Sequence, residues 1–488
     1  VRALFLICFK KNQLLSIWAI EPRQQKAPAM LWTTQLSVNA ADFVLSSNAE
    51  ALTHYCGAAA FAQPHDFYTQ SPYQRPSRPQ DVTDSIITTC LTSDQLSNSQ
   101  HLLAQRLLLN IYEQDLVFLP KPPLELDLKA FKSFYDPVHA ASGKKIRPLL
   151  EHYLYNWLKE EVHINGPWCL ESFIAHTDKV LDDVAHSESK LHEVLTTSRQ
   201  PERAARFFMT QCAGDFLSEA SAMARNVLGN SGVYTSELFK ILIDEYGYGV
   251  DKKKHSTIFE DMLQDMGMPH HVHHYWQFYT PASLSLTNYF HYVSANHGEL
   301  FRYIGAMYYT EATLALTTKH QSRAIKTIFN GTVSTDYFDE HAHIDVHHGR
   351  MALQRLIMPM IKQFGTQIIP DLIRGFEEFR LLQDIADEEL YAHIQWHDEL
   401  DQHRARAAAL QGQKPVDLRI TETELELSVL HTHPNDELFW VESGELEFVA
   451  SPELTVRLKA GEGVVIPKGM LHGTRICSPS CTYTVTAI

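Results

Sequence analysis

FDEHAHIDVHHG, residues 338–349, is the stretch on which the fold turns. His341, Asp345 and His348 stand at i, i+4 and i+7. At 100° per residue their directions fall within about 60° of one another, so one helix face would present two imidazoles and a carboxylate. His343 and His347 project elsewhere. A histidine-rich, solvated helix end would show the same spacing, so the stretch is informative only if partners exist.

Partners lie on both sides of it. Glu219 sits in DFLSEASAMARNVLG (215–229), an amphipathic helical pattern. Glu245 sits in LIDEYGYG (242–249), with His255 ten residues later in DKKKHSTIFEDML (251–263). Glu311 lies inside the apolar run IGAMYYTEATLALT (304–317). A carboxylate among Ala, Met, Tyr and Leu is costly to bury unless paired or metal-bound. Glu219, Glu245, Glu311 and Asp345 together carry about −4, which balances two Fe(II) ions, and His255, His341 and His348 complete a carboxylate-bridged di-iron site with room for O2. Ten residues of regular helix would set Glu245 and His255 about 80° apart, so Gly247-Tyr248-Gly249 is expected to loosen the helix between them.

The surroundings read as helix. From about residue 144, apolar residues recur at helical spacing in 147–160, 168–184, 202–228, 235–246, 256–264, 281–317, 350–363 and 371–403. Ser93–Tyr112 is helical by the same pattern, and the proline-bearing segments 63–85 and 119–128 are breaks. After about residue 405 the character changes. RARAAALQGQKPVD (404–417) reads as a linker, and beyond it come short alternating segments at Leu425–Leu430, Leu438–Glu442, Glu445–Ala450, Leu454–Leu458, Gly463–Ile466 and Tyr483–Val485.

That β region holds its own histidines. His431 and His433, in HTHPNDELFWVESG (431–444), are two apart on a predicted strand and leave the same face. GEGVVIPKGMLH (461–472) makes a Gly461-x5-Pro467-x-Gly469 turn that can return His472 to that face. Three neutral imidazoles suit Fe(II), Mn(II), Ni(II) or Zn(II). The segment resembles the cupin family. His431, His433, Glu437 and Gly444 match its first motif, and Gly461, Pro467, Gly469 and His472 match its second. The resemblance implies a β-barrel with a mononuclear iron, in which Glu437 is a fourth ligand or an outer group.

The order E…E-x9-H…E…H-x3-D-x2-H resembles the haem-oxygenase-like di-iron oxidases. Joined to a cupin, it is similar to the N-nitrosourea-forming enzymes of streptozotocin biosynthesis. The resemblance implies an all-α N-terminal region and a haem-oxygenase-like α bundle, followed by the cupin. It implies three Fe(II) ions with O2 and an external reductant, and an electron donor or reductase as partner. The bundle would hydroxylate two guanidine nitrogens of an N-methyl-L-arginine-like amino acid, and the cupin iron would rearrange the product to an N-nitrosourea. Glu311 would enter the ligand set with the second iron, Tyr483 would line the cupin pocket as a catalytic residue, and the N-terminal region would form a homodimer interface. Competing readings are N-oxygenation of another amine, oxidative C–C cleavage of an acid, a non-catalytic small-molecule-binding cupin fusion, and haem degradation, which would not explain four phased carboxylates.

Composition narrows the classes further. With 488 residues and 44% hydrophobic content, the chain can bury several cores. The expected division is an extension over 1–29, poorly ordered and preceding Met30; a helical dimerisation region over 30–150; the di-iron domain over 151–405; and the cupin over 406–488. A net charge of −16 argues against nucleic acid. No apolar run reaches the roughly 18–20 residues of a membrane span. Seven cysteines without a CxxC pair fit reduced thiols and a cytoplasmic location. Of the 27 histidines, His270, His271, His273 and His274 are expected at a solvated helix start, and His393, His397 and His403 on a polar helix face. Cys477 and Cys481 are expected as free thiols.

Overall fold

The computed structural model describes residues 47–78, 81–187 and 189–488. The expected extension at 1–29 lies outside the described residues. Helix α1 (Ser99–Glu113) is capped by Asn98, whose side chain accepts from His101 N, and every residue from His101 to Glu113 is buried. A helix buried all round lies inside a core. Arg106 on α1 donates to Leu430 O at 2.9 Å and Gln277 O at 2.8 Å, tying the N-terminal region to two later parts of the chain. Helix α2 (Pro137–Tyr155) packs against it, capped by Asp136.

The bundle follows as α3 (Pro201–Phe216), α4 (Val233–Glu245), α5 (His255–Asp265), α6 (Pro281–Ala295), α7 (Leu300–Ile328), α8 (Asp336–Met351) and α9 (Ile369–Asp398). Proline in the first turn starts α3, α6 and α9, where a missing N–H costs nothing. The long α7 packs on both α8 and α9. At the α7–α8 crossing a β-carbon on Gly349 would sit 3.1 Å from Ala312 Cα, so glycine lets the two backbones approach where their acidic faces meet. Helix α10 (Leu400–Leu410) carries on through the expected linker, and Ala407 is buried with Leu438 and Val465.

Eight strands close the chain: β1 (Leu418–Thr423), β2 (Leu427–His431), β3 (Glu437–Ser443), β4 (Glu445–Ser451), β5 (Leu454–Lys459), β6 (Gly463–Ile466), β7 (His472–Ile476) and β8 (Ser480–Ala487). They form two antiparallel four-stranded sheets, ordered β1-β8-β3-β6 and β2-β7-β4-β5. The expected barrel is therefore a sandwich. Closing a barrel needs one continuous hydrogen-bond ladder, and among the described residues none joins the two sheets. Two strands escaped the sequence reading. In β1, LRITET has mostly exposed positions, and β7 follows the Pro-Gly turn directly. Leu427, Val429, Leu430 and Leu471 share a core with Phe67, Leu102, Leu109 and Phe207, so N-terminal region, bundle and sandwich are packed as one body.

Two histidine groups depart from expectation. His273 and His274 are buried at 1% and 6% exposure in a turn, not solvated at a helix start. His273 Nε2 lies 2.7 Å from Glu113 Oε1, and Glu113 pairs with Arg75 at 3.0 Å, so a buried charge network absorbs the ring. His393 and His397, at 0% and 4%, are core residues rather than a polar face. His393 Nε2 accepts from Leu471 N at 3.0 Å, next to His472.

Candidate metal centres

Three groups of potential ligands gather among the described residues: Glu219–Glu245–His255–His341, Glu245–Glu311–Asp345–His348, and His431–His433–His472. In each, one donor atom per residue lies within 4.8 Å of all the others. The first two share Glu245.

The helical centre is assembled from five places. Glu219 occupies the turn after α3, which Ala220 permits with φ +62°. Glu245 is the last residue of α4. The Gly-Tyr-Gly segment then ends the helix instead of merely loosening it. Gly247 has φ +58°, and a β-carbon there would meet the Lys253 carbonyl carbon at 2.4 Å. The chain doubles back and His255 opens α5. Glu311 comes from α7, and His341, Asp345 and His348 from α8, all three buried as the i, i+4, i+7 spacing predicts. His343 and His347 are exposed.

Distances divide the cluster into halves. Glu245 Oε2 is 2.7 Å from His255 Nδ1, and its Oε1 is 3.3 Å from His348 Nδ1. His255 Nδ1 is 3.2 Å from His341 Nε2, which lies 3.1 Å from Glu219 Oε1. Across the divide, His348 Nδ1 is 3.1 Å from Glu311 Oε2 and 3.3 Å from Asp345 Oδ1. Two outer residues that sequence reading missed fix this arrangement. Asp244 Oδ2 lies 3.2 Å from His348 Nε2, leaving Nδ1 to face the centre. Tyr337 donates its hydroxyl to Glu219 Oε1 at 2.8 Å, and its carbonyl takes His341 Nδ1 at 2.8 Å. Tyr337 stands one helical turn before His341, a usable signal. Asp244 sits about 100° from Glu245 on α4, and nothing in the pattern marks it.

Electrostatics explains why this collection of charge needs a cation. Burial raises Glu245, and it raises Asp345 to about 7. Burial would lower His348, but its contacts with Asp345 and Glu311 lift it to about 12. His341 is likewise held well above its ordinary value by Glu219 despite burial. Burial works to raise Glu219, yet the charge and hydrogen bond of His341 outweigh it and hold the carboxyl below its ordinary value. Protons thus do part of the neutralising. Asp345 Oδ2 and Glu219 Oε2, both buried, have no hydrogen-bond partner among the described residues, and Asp345 Oδ1 meets only His348 Nδ1. Orphaned carboxylate oxygens beside a shared glutamate fit a pair of divalent ions.

The sandwich centre is built differently. His431 and His472 are paired across β2 and β7. His433 lies past the end of β2 rather than on the expected strand, with its carbonyl accepting from Gly469 N at 2.9 Å. Every Nδ1 is engaged: His431 to Val429 O at 2.9 Å, His472 to Met470 O at 3.0 Å, and His433 to Glu437 Oε1 at 3.0 Å. Three Nε2 atoms are left for one ion, with ring centroids 4.7–5.2 Å apart. Glu437 occupies the outer edge of His433. Burial, the other imidazoles and Arg78 hold His431 well below its ordinary value, and burial brings His472 to about 3, so both rings are neutral donors. Tyr483 stacks on Phe439 at 4.8 Å and donates to Glu422 Oε2 at 3.0 Å. Glu422, facing inward from β1 on the same side as Tyr483, was not anticipated. The described cysteines, Cys477 and Cys481 among them, are free.

A bundle with a two-halved carboxylate–histidine cluster, joined to a sandwich with three convergent imidazoles, defines an iron-dependent oxidoreductase carrying a cupin. Family comparison agrees: residues 206–383 match the model described as iron-containing redox enzyme, and residues 424–485 match the cupin domain. The chain is 41% identical over 425 residues to the nitrosourea synthase of Streptomyces achromogenes subsp. streptozoticus, covering 86% of this chain and 90% of that protein. It belongs to that enzyme's family. No helix among the described residues is long and apolar enough to cross a membrane.

Proposed function

We propose that the chain makes an N-nitrosourea from a guanidine-bearing amino acid of the N-methyl-L-arginine type, in two iron-dependent stages. The helical centre hydroxylates guanidine nitrogens, and the cupin centre rearranges the product as the N–N bond forms. The observation that carries this reading is Glu245, whose two oxygens each serve one half of a seven-residue cluster. Bound Fe(II), two ions held by Glu219, Glu245, His255, Glu311, His341, Asp345 and His348 and one by His431, His433 and His472, would supply the electrons that activate O2.

The protein's own groups do the rest. Asp244 and the Tyr337 carbonyl fix which nitrogen of His348 and His341 turns inward. Phe216, Phe259 and Tyr337, with ring centroids 5.0–5.3 Å apart, wall the Glu219 side from water. In the sandwich the Tyr483 proton is directed at Glu422, which holds the ring against Phe439, and Phe439 packs on Phe448, the ring that stacks on His472. Repeated turnover of the helical centre draws electrons from an external reductant or reductase, and the N-terminal region serves as a homodimer interface. The test is anaerobic Fe(II) loading with metal counting, then O2 and a panel of guanidines followed by mass spectrometry. N-methyl-L-arginine should yield hydroxylated products and then a nitrosourea. Oxidation of simple amines or acids in its place would overturn the reading.

A further inference from the structure

A cavity of about 310 Å³ lies outside both centres, where the N-terminal region, the bundle and the sandwich meet. Ser97, before α1, closes one side, α9 forms another, and the Lys468–Met470 turn ahead of β7 forms a third. A β-carbon on Gly469 would sit 3.0 Å from Ser97 Cβ, so glycine lets the turn and the N-terminal segment meet. The same turn holds two cupin histidines from its other side. Gly469 N donates to His433 O at 2.9 Å, and Met470 O accepts from His472 Nδ1 at 3.0 Å. The cavity thus shares a wall with the cupin centre but contains none of its ligands.

Its lining is mostly apolar. Trp157, Leu382 and Met470 are buried, and Trp157 Nε1 is fixed on Leu154 O at 2.7 Å. Leu382, Ile385 and Glu389 follow one another at i, i+3 and i+7 on α9, so the glutamate opens onto the same space as the apolar residues. Glu389 accepts from Ala282 N at 2.9 Å, and among the described residues no cation pairs with it. Burial lifts its carboxyl to about 7, as for an acid enclosed without a counter-ion. A carboxylate in that position is costly until a cation joins it. Glu388 and Lys468 also line the cavity and are exposed, which places them at its mouth. Glu388 makes only a loose surface pair with Lys190 at 3.5 Å. An inner acid, an apolar middle, and an acid and an ammonium at the mouth match a molecule with a cation at one end, an aliphatic stem and an amino-acid head. The volume stands at the lower end of small-molecule pockets, which suits one amino acid.

We propose that this cavity is a second binding site for the arginine-type amino acid, separate from both metal centres, with the guanidinium on Glu389 and the amino-acid head between Glu388 and Lys468. The idea rests on the substrate class proposed above and adds a place where that substrate is held. The test is calorimetric titration of the full-length, metal-free protein at pH 8 with N-methyl-L-arginine and with its decarboxylated analogue. Loss of a charge-assisted contact predicts a Kd raised roughly 10- to 100-fold for both probes in Glu389→Gln. Ala392→Phe, which fills the cavity, should abolish the same binding. Lys468→Gln should weaken the amino acid by about threefold and leave the decarboxylated probe unchanged, because its partner is solvent-exposed. Melting temperatures show which variants are folded, and Glu389→Gln, which keeps an acceptor for Ala282, decides the matter should Ala392→Phe be unfolded. If Glu389→Gln binds both probes as tightly as wild type, or wild type binds neither, the proposal fails. The substrate class is judged separately: iron-loaded wild type that leaves N-methyl-L-arginine unoxidised overturns it, whatever the cavity binds.

Discussion

The two candidate centres handle buried polar atoms in opposite ways. In the bundle, four carboxylates and three imidazoles are brought together from five chain segments, and they lean on one another as ion pairs at 2.7–3.3 Å. In the sandwich, three imidazoles stand within one hairpin-like pairing and one turn, each Nδ1 already engaged. The first is a charged cage in which carboxylates and imidazoles offset one another. The second is a tripod whose ring orientations are set by hydrogen bonds before any ion arrives. A four-carboxylate cage suits two cations and a change of oxidation state, whereas a tripod leaves coordination positions open for substrate.

The sharpest way to break this contrast is to remove the shared glutamate. Glu245→Ala should empty the whole helical centre, taking iron from about three to about one per chain and abolishing N-hydroxylation. The cupin should still convert supplied dihydroxylated substrate, as metal analysis and mass spectrometry would show. His433→Ala should do the reverse: lose the lone ion, keep the pair, and accumulate the dihydroxylated compound. If either folded variant stops both steps, the two centres are not separate.

Smaller changes sharpen the comparison. His393→Ala removes the acceptor for Leu471 N next to His472. It should weaken cupin iron binding by roughly 10–100-fold, as losses of outer support do, and leave iron in the bundle unchanged. Equilibrium dialysis against a chelator would measure both. The smallest effect concerns buried acid outside either centre. Glu389 on α9 is raised to about 7 by burial, while accepting from Ala282 N at 2.9 Å. A carboxyl whose folded value lies above its unfolded value stabilises fully below about pH 4, and that contribution disappears as pH rises through about 7. Glu389→Gln keeps an acceptor for Ala282 and should stabilise the metal-free protein by on the order of 2 kcal/mol at pH 8, with no gain at pH 4, in urea unfolding.

Much of this was legible in the residues because it is local. The i, i+4, i+7 spacing of His341, Asp345 and His348 requires only helix periodicity, and the cupin motifs require only strands and a Pro-Gly turn. Glu219, Glu245 and Glu311 could be picked out because carboxylates in apolar helical patterns demand a reason. What stayed hidden depends on contacts between distant segments. His393 and His273 looked solvated because their partners, the Leu471 amide and Glu113, are far away in sequence. Asp244 reaches His348 only because α4 stops at Glu245 and the chain turns back.

By itself, then, the sequence determined an α-helical bundle followed by a β domain, and which side chains had the chemistry to hold metal. Only the tertiary structure decided that Glu245 serves both halves of one cluster, that the β domain is two sheets rather than a closed barrel, and that His393 of the bundle accepts from the Leu471 amide beside His472. The reason is physical. Periodicity is written into neighbouring residues, whereas burial, sheet closure and the meeting of charges arise from packing surfaces that no short stretch of chain contains.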